Sequence, residues 1–108
     1  MKIKPIIPRE LARQDVEQAI AYYLREGAES AALGFIDALE KAYTHIGRDP
    51  ATGSPRYAHE LNISGLRSWS LTQYPYLVFY LERKDYIDVW RVLHGQRHIP
   101  TWMNGQVI

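Results

Sequence analysis

The run Tyr74–Leu81 constrains this chain more than any other segment, being apolar or aromatic at every position except Pro75. A run this dense and this short fits a strand buried at the centre of a sheet. It lies within a longer strand-forming stretch. Gly65–Leu71, Tyr76–Glu82 and Tyr86–Leu93 read as three strands. Pro75 belongs at a strand start, where its missing N–H breaks no ladder. The polar tetrad Glu82-Arg83-Lys84-Asp85 is a tight turn, so the last two strands form an antiparallel hairpin. The stretch closes on His94-Gly95-Gln96-Arg97-His98. A rigid sheet that presents cations and imidazoles at its edge suits an anionic ligand or a partner protein.

Alternation in the last strand separates Ile87, Val89, Arg91 and Leu93 from Tyr86, Asp88, Trp90 and Val92. Both sets hold bulky apolar residues and one charge, so both faces of the sheet need cover. Helices can supply one cover. The other face, if open, is an apolar patch that invites a partner.

The helices come from the first half. Ala12, Val16, Ala19, Ile20 and Tyr23 fall on one helical face. Gly27 stops that helix. Ala28, Ala32, Phe35, Leu39, Ala42 and Ile46 then alternate by fours and threes, and Gly47 with Pro50 ends the second helix. The short link at Gly27 folds the two into an antiparallel hairpin. Ile3–Ile7 reads as a short strand limited by Pro5 and Pro8, with Pro8 placed in the first turn of the helix that follows. Asp49–Pro55 is a loop within one domain spanning residues 1–108. The expected class is α+β: an N-terminal strand, then a helical hairpin packed on a small antiparallel sheet.

Composition excludes several chemistries. With 46% hydrophobic residues the chain can bury a core, and with no cysteine it has no disulfide or thiolate chemistry. That usage, with no apolar leader in Met1–Pro5 and no run near the roughly 20 residues of a membrane span, gives a cytoplasmic expectation. A net charge of +1 argues against binding nucleic acid through bulk electrostatics. His94 and His98 are four apart, but Gly95 and the strand context argue against a helical chelate, so no metal or cofactor is expected. No nucleophile elbow, P-loop or dinucleotide turn occurs.

Two sets of residues remain as candidates. The basic set is Arg67, Arg91, His94, Arg97 and His98, which could clamp a phosphate, unless Arg67 and Arg91 pair across the sheet with Asp88, Glu60 or Glu82. The aromatic set includes Trp69, Tyr74, Tyr76, Tyr80, Tyr86, Trp90 and Trp102, which suit a protein interface better than base stacking at this charge. Together they nominate Arg67, Trp69, Tyr76, Tyr80, Arg91, His94, Arg97 and Trp102 as contacts for a target or partner.

Gly65-Leu66-Arg67, Tyr74-Pro75-Tyr76-Leu77-Val78-Phe79-Tyr80 and Val89-Trp90-Arg91-Val92-Leu93-His94-Gly95-Gln96-Arg97-His98-Ile99-Pro100 closely resemble the C-terminal half of ParE-type toxins. Ala12 to Val16, Ile20-x-x-Tyr23, Ala32-x-x-Phe35-x-x-x-Leu39 and Pro50-x-x-Gly53 extend the likeness over nearly the whole chain. The resemblance is to the RelE/ParE superfamily of type II toxin–antitoxin systems. It implies a helical hairpin on a small antiparallel sheet and a cognate antitoxin, of ribbon-helix-helix type. That antitoxin would carry operator-DNA binding, with a tail that folds over the toxin. It also implies one of two activities: poisoning of DNA gyrase in the ParE branch, or ribosome-dependent mRNA cleavage in the RelE branch. The ribonuclease branch places an arginine where this chain has Tyr76, and two alternating lysines where it offers Arg67 alone. Arg97 matches the arginine closing that branch's Val-x-Gly-x-Arg turn, but its later catalytic tyrosine has no match, Trp102 lying roughly at that place. A set this depleted stabilises a pentavalent phosphate poorly. The expectation is therefore a gyrase poison acting by binding. The alternatives are an mRNA endonuclease using Arg67, His94 and Arg97, and a degenerate toxin that only binds its antitoxin.

Overall fold

A computed structural model of the chain describes residues 3–95. Strand β1 (Ile6–Pro8) leads into helices α1 (Glu10–Arg25) and α2 (Glu29–Arg48). A 3-10 turn at Pro50–Thr52 and a short helix α3 (Arg56–Leu61) follow. Strands β2 (Arg67–Ser70), β3 (Tyr76–Glu82) and β4 (Ile87–His94) complete one sheet in the order β1-β4-β3-β2. The expected α+β class holds. β3 and β4 fall within a residue of their expected bounds, and β3 is central, as its apolar run requires. The sheet is antiparallel except at its edge, where β1 runs parallel to β4.

The α1–α2 turn follows its local chemistry. Gly27 takes φ +70°, and the Ala28 N–H returns 2.9 Å to the Tyr23 carbonyl. The α2 seam is buried at Ala32, Phe35, Ala38, Leu39, Ala42 and Ile46. Two boundary readings are corrected. Pro8 ends β1 instead of opening α1, because Arg9 N–H still pairs with the Val89 carbonyl at 2.9 Å. Gly47 lies inside α2 and does not terminate it. There the Lys4 backbone crosses the helix, and a Cβ on Gly47 would stand 2.8 Å from the Lys4 oxygen.

Helix α3 was not expected, and it changes the architecture. Tyr57, Ala58, Leu61 and Ile63 pack with Leu66 over Phe79, Leu81, Trp90 and Leu93. The sheet face that the helical hairpin leaves uncovered is thus closed by the chain's own segment. The opposite face carries the main core, where Phe35, Leu39 and Ile46 of α2 meet Val78, Tyr80, Val89 and Val92. Burying a side chain such as Phe or Ile contributes roughly 1.5–3 kcal/mol.

A β-bulge explains why simple alternation misassigns β4. Tyr80 pairs with Val89 but Phe79 pairs with Arg91, so Trp90 is an extra residue. One added residue reverses the facing of everything beyond it. Ile87 and Val89 therefore share the helix side with Val92, while Leu93 joins Trp90 beneath α3.

Candidate interaction surface

The sheet end near His94 is built around a buried ion pair. Asp15 sits on the apolar face of α1 between Ala12 and Ala19, all three buried. Its carboxylate accepts Arg91 Nε at 2.7 Å, Arg91 Nη2 at 2.8 Å and the Val92 N–H at 3.0 Å. Both side chains are only 7% exposed. Arg91 is therefore a tie between α1 and β4, and its nomination as a surface contact is corrected. Asp15 was missed, although a carboxylate on an apolar helical seam is itself a sign of a buried cationic partner.

Beside this pair lies a groove of about 700 Å³. Gln18, Ala19, Tyr22, Tyr23 and Arg25 of α1 form one wall, and Pro75, Tyr76 and His94 form the other. Tyr76 pairs with His94 across the strands, their rings 5.3 Å apart edge to face. Tyr76 also meets Phe35 at 5.1 Å, which locks the ring from below. Burial, reinforced by the neighbouring Tyr76, Tyr74 and Tyr22, pushes the Tyr23 hydroxyl above its usual pKa. Tyr23 therefore presents a neutral phenol to the groove at physiological pH. Tyr76 and His94 are brought together as nominated; Tyr22, Tyr23 and Arg25 were not foreseen.

The other nominated residues lie elsewhere. Tyr80 is fully buried, and its hydroxyl donates 2.6 Å to the Pro50 carbonyl. Its nomination as a contact is likewise corrected: it fastens the 3-10 turn to the sheet. Arg67 donates to the Gly53 carbonyl at 2.7 Å. Trp69 stacks on His45 at 4.0 Å, and His45 Nε2 lies 2.8 Å from the Thr52 hydroxyl. Arg97 and Trp102 lie outside the described residues, as does His98.

The cross-sheet pairings expected for the arginines also differ. Asp88 is occupied by Arg9 and Arg83 and by the Trp90 indole N–H. Glu82 takes Lys4, and Glu60 takes Arg56. Burial pushes the Asp88 carboxyl upward, but the hydrogen bonds from Arg9, Arg83 and Trp90 outweigh it and hold the group below its ordinary value. No three His, Cys, Asp or Glu side chains cluster as metal ligands among the described residues.

Arg67 and His94 do not converge. Arg67 pairs with Tyr80 and His94 with Tyr76, four residues apart on β3. That is about 13 Å along the strand, with a further ~10 Å across two strand spacings. The two backbones are thus about 16 Å apart, and with Arg67 turned to the Gly53 carbonyl the two side chains do not address one phosphate in this arrangement.

The family model for the ParE toxin of type II toxin–antitoxin systems, parDE, matches residues 6–99. The chain belongs to that family. A chain from the chromosomal ParDE TA system of P. aeruginosa has the same fold, with a TM-score of 0.72 at 14% identity. The superposition covers 87% of this ParE-family chain and 98% of the other. No curated protein matches it. The family match spans every described element from β1 to β4, so the buried Asp15–Arg91 tie and the groove beside it lie within the toxin fold. No helix among the described residues is long and apolar enough to cross a membrane.

Proposed function

We propose that this ParE-family toxin arrests growth by binding DNA gyrase, without catalysis of its own. In this reading it is held inactive by a cognate antitoxin of ribbon-helix-helix type. The family match over residues 6–99 carries the reading. The separation of Arg67 and His94 supports binding over phosphoryl transfer, because these two members of the proposed ribonuclease set do not converge among the described residues. Arg91, a further cation of the same strand, is committed to Asp15. The chain acts as one toxin domain in the cytoplasm, and the toxin–antitoxin complex reaches its operator DNA through the antitoxin.

The test is a supercoiling assay with purified toxin and gyrase. Micromolar toxin should block supercoiling or trap cleaved DNA, and added antitoxin should restore turnover. Unaffected gyrase would remove the reading. Codon-positioned mRNA cuts lost on Arg97→Ala would replace it with the ribonuclease alternative, and expression without growth arrest would mark a degenerate toxin.

A further inference from the structure

The second apolar layer is covered by a segment that apolar contact alone holds down. Tyr57, Ala58 and Leu61 of α3, with Ile63 after it, lie over Phe79, Leu81, Trp90 and Leu93. The Tyr57 and Phe79 rings meet edge to face at 5.3 Å. Tyr57, Ala58 and Leu61 are each half-buried, whereas Phe79 and Trp90 beneath them are fully buried. A helix of six residues is too short to persist without such tertiary contacts.

The polar bonds of this segment stay within it. The N–H groups of Ala58, Asn62 and Ile63 donate to the carbonyls of Pro55, His59 and Ala58 in turn. Arg56 pairs with Glu60, and its guanidinium lies over the Tyr57 ring. Beyond itself the segment reaches only its two neighbours in the chain. The Ser54 hydroxyl accepts the Arg56 N–H at 3.2 Å, and the Leu66 N–H donates to the Ile63 carbonyl at 3.2 Å. Among the described residues, no hydrogen bond or ion pair joins residues 55–65 to β3 or β4.

The flanking residues are held differently. Ser54 exchanges two backbone bonds with Ser68 at 2.8 and 2.9 Å, the Gly53 carbonyl accepts from Arg67, and the Pro50 carbonyl accepts from Tyr80. Polar anchoring therefore stops at Ser54. At the other end Leu66 is fully buried, and Gly65 before it takes φ +83°, a conformation that glycine enters without strain.

We propose that residues 55–65 are a lid, hinged at Ser54 and Gly65, that opens as one unit while the sheet and the helical hairpin stay folded. Opening lifts three half-buried side chains and Ile63 off the sheet and leaves the ladders of β2, β3 and β4 intact. Local openings follow seams of this kind, where few contacts cross. The open state uncovers Phe79, Leu81, Trp90 and Leu93, an apolar face that the closed chain hides. The inference does not rest on gyrase being the target, which the supercoiling assay reads separately.

The chain has no cysteine, so single introduced thiols report the opening without background. Leu81→Cys places one under the lid, and Val78→Cys places one on the other face of β3, beneath the helical hairpin. In native buffer a maleimide should modify the Leu81→Cys thiol at least about tenfold faster than the Val78→Cys thiol. Urea below the unfolding midpoint should speed the Val78→Cys reaction at least about tenfold and leave the Leu81→Cys reaction within about twofold, because lid opening exposes far less surface than unfolding. Hydrogen exchange on the unaltered chain reads the same opening without any substitution. The amides of Leu61, Asn62 and Ile63 should exchange at least about a hundredfold faster than those of Val78 and Phe79 at the centre of β3. The proposal is overturned if the two thiols react at one rate, if urea speeds both alike, or if the lid amides exchange as slowly as Val78 and Phe79.

Discussion

Replacing Asp15 with asparagine should be among the most damaging isosteric changes available to this toxin. The side chain keeps its shape, so packing is untouched and the effect isolates charge. In the native chain the carboxylate receives two guanidinium bonds at 2.7 and 2.8 Å and a backbone bond at 3.0 Å. Asparagine removes the negative charge and turns an amide donor toward other donors. Arg91 then remains charged inside the protein, at 6% exposure, with its anion gone. Leaving one member of a buried pair uncompensated costs about 3–5 kcal/mol. A domain of this size has roughly 5–15 kcal/mol in total, and each kcal/mol moves Tm by about 4–8 °C. The expected fall in Tm is therefore roughly 12–40 °C.

Urea denaturation followed by circular dichroism measures this directly, with a lower midpoint and an unchanged slope. A double variant, Asp15→Leu with Arg91→Met, should recover most of the loss, because apolar groups of similar size replace a buried pair at little cost or with a gain. Two results would refute the reasoning. One is a loss under about 1 kcal/mol for Asp15→Asn, the scale of an exposed pair. The other is a double variant no more stable than the single.

Two further outcomes follow from local geometry. Asp88 has a folded-state pKa below its unfolded value, so its stabilisation is complete above about pH 4 and is lost as pH falls through the folded pKa. Urea titrations at descending pH should show the native chain losing stability more steeply in that window than Asp88→Asn; parallel curves would contradict the assignment. Gly47→Ala would normally strengthen a helix by up to about 1 kcal/mol. Here the new methyl meets the Lys4 carbonyl oxygen at 2.8 Å, so a net loss of about 1–3 kcal/mol is expected in the same assay, and a gain would show that the β1 entry segment yields freely.

Much of the fold was legible because its signals are local. The four-and-three spacing of Ala32, Phe35, Leu39, Ala42 and Ile46 needs only helical geometry to place those residues on one face. Gly27 turns the hairpin because it adopts a positive φ easily. Tyr76–Glu82 is a strand by composition alone, and its density anticipates its central place in the sheet. Of the aromatic and basic residues singled out at the strand ends, Tyr76 and His94 do meet at the groove.

The remainder depended on contacts between distant residues. Arg56–Leu61 is too short to announce itself as a helix, and what holds it is the apolar surface of Phe79, Leu81 and Trp90 beneath it. Tyr80 and Arg91 look like surface contacts in a linear reading, yet one lies in the core and the other reaches 76 positions back to Asp15. The sequence by itself determined the helical hairpin, the strands and the toxin family. Tertiary structure decided which side of the sheet each β4 residue faces, because one bulged residue at Trp90 reverses an alternation that has no memory beyond its neighbours. It also decided where the surface lies: α3 closes one face of the sheet, and the accessible groove forms on the other side, beneath α1.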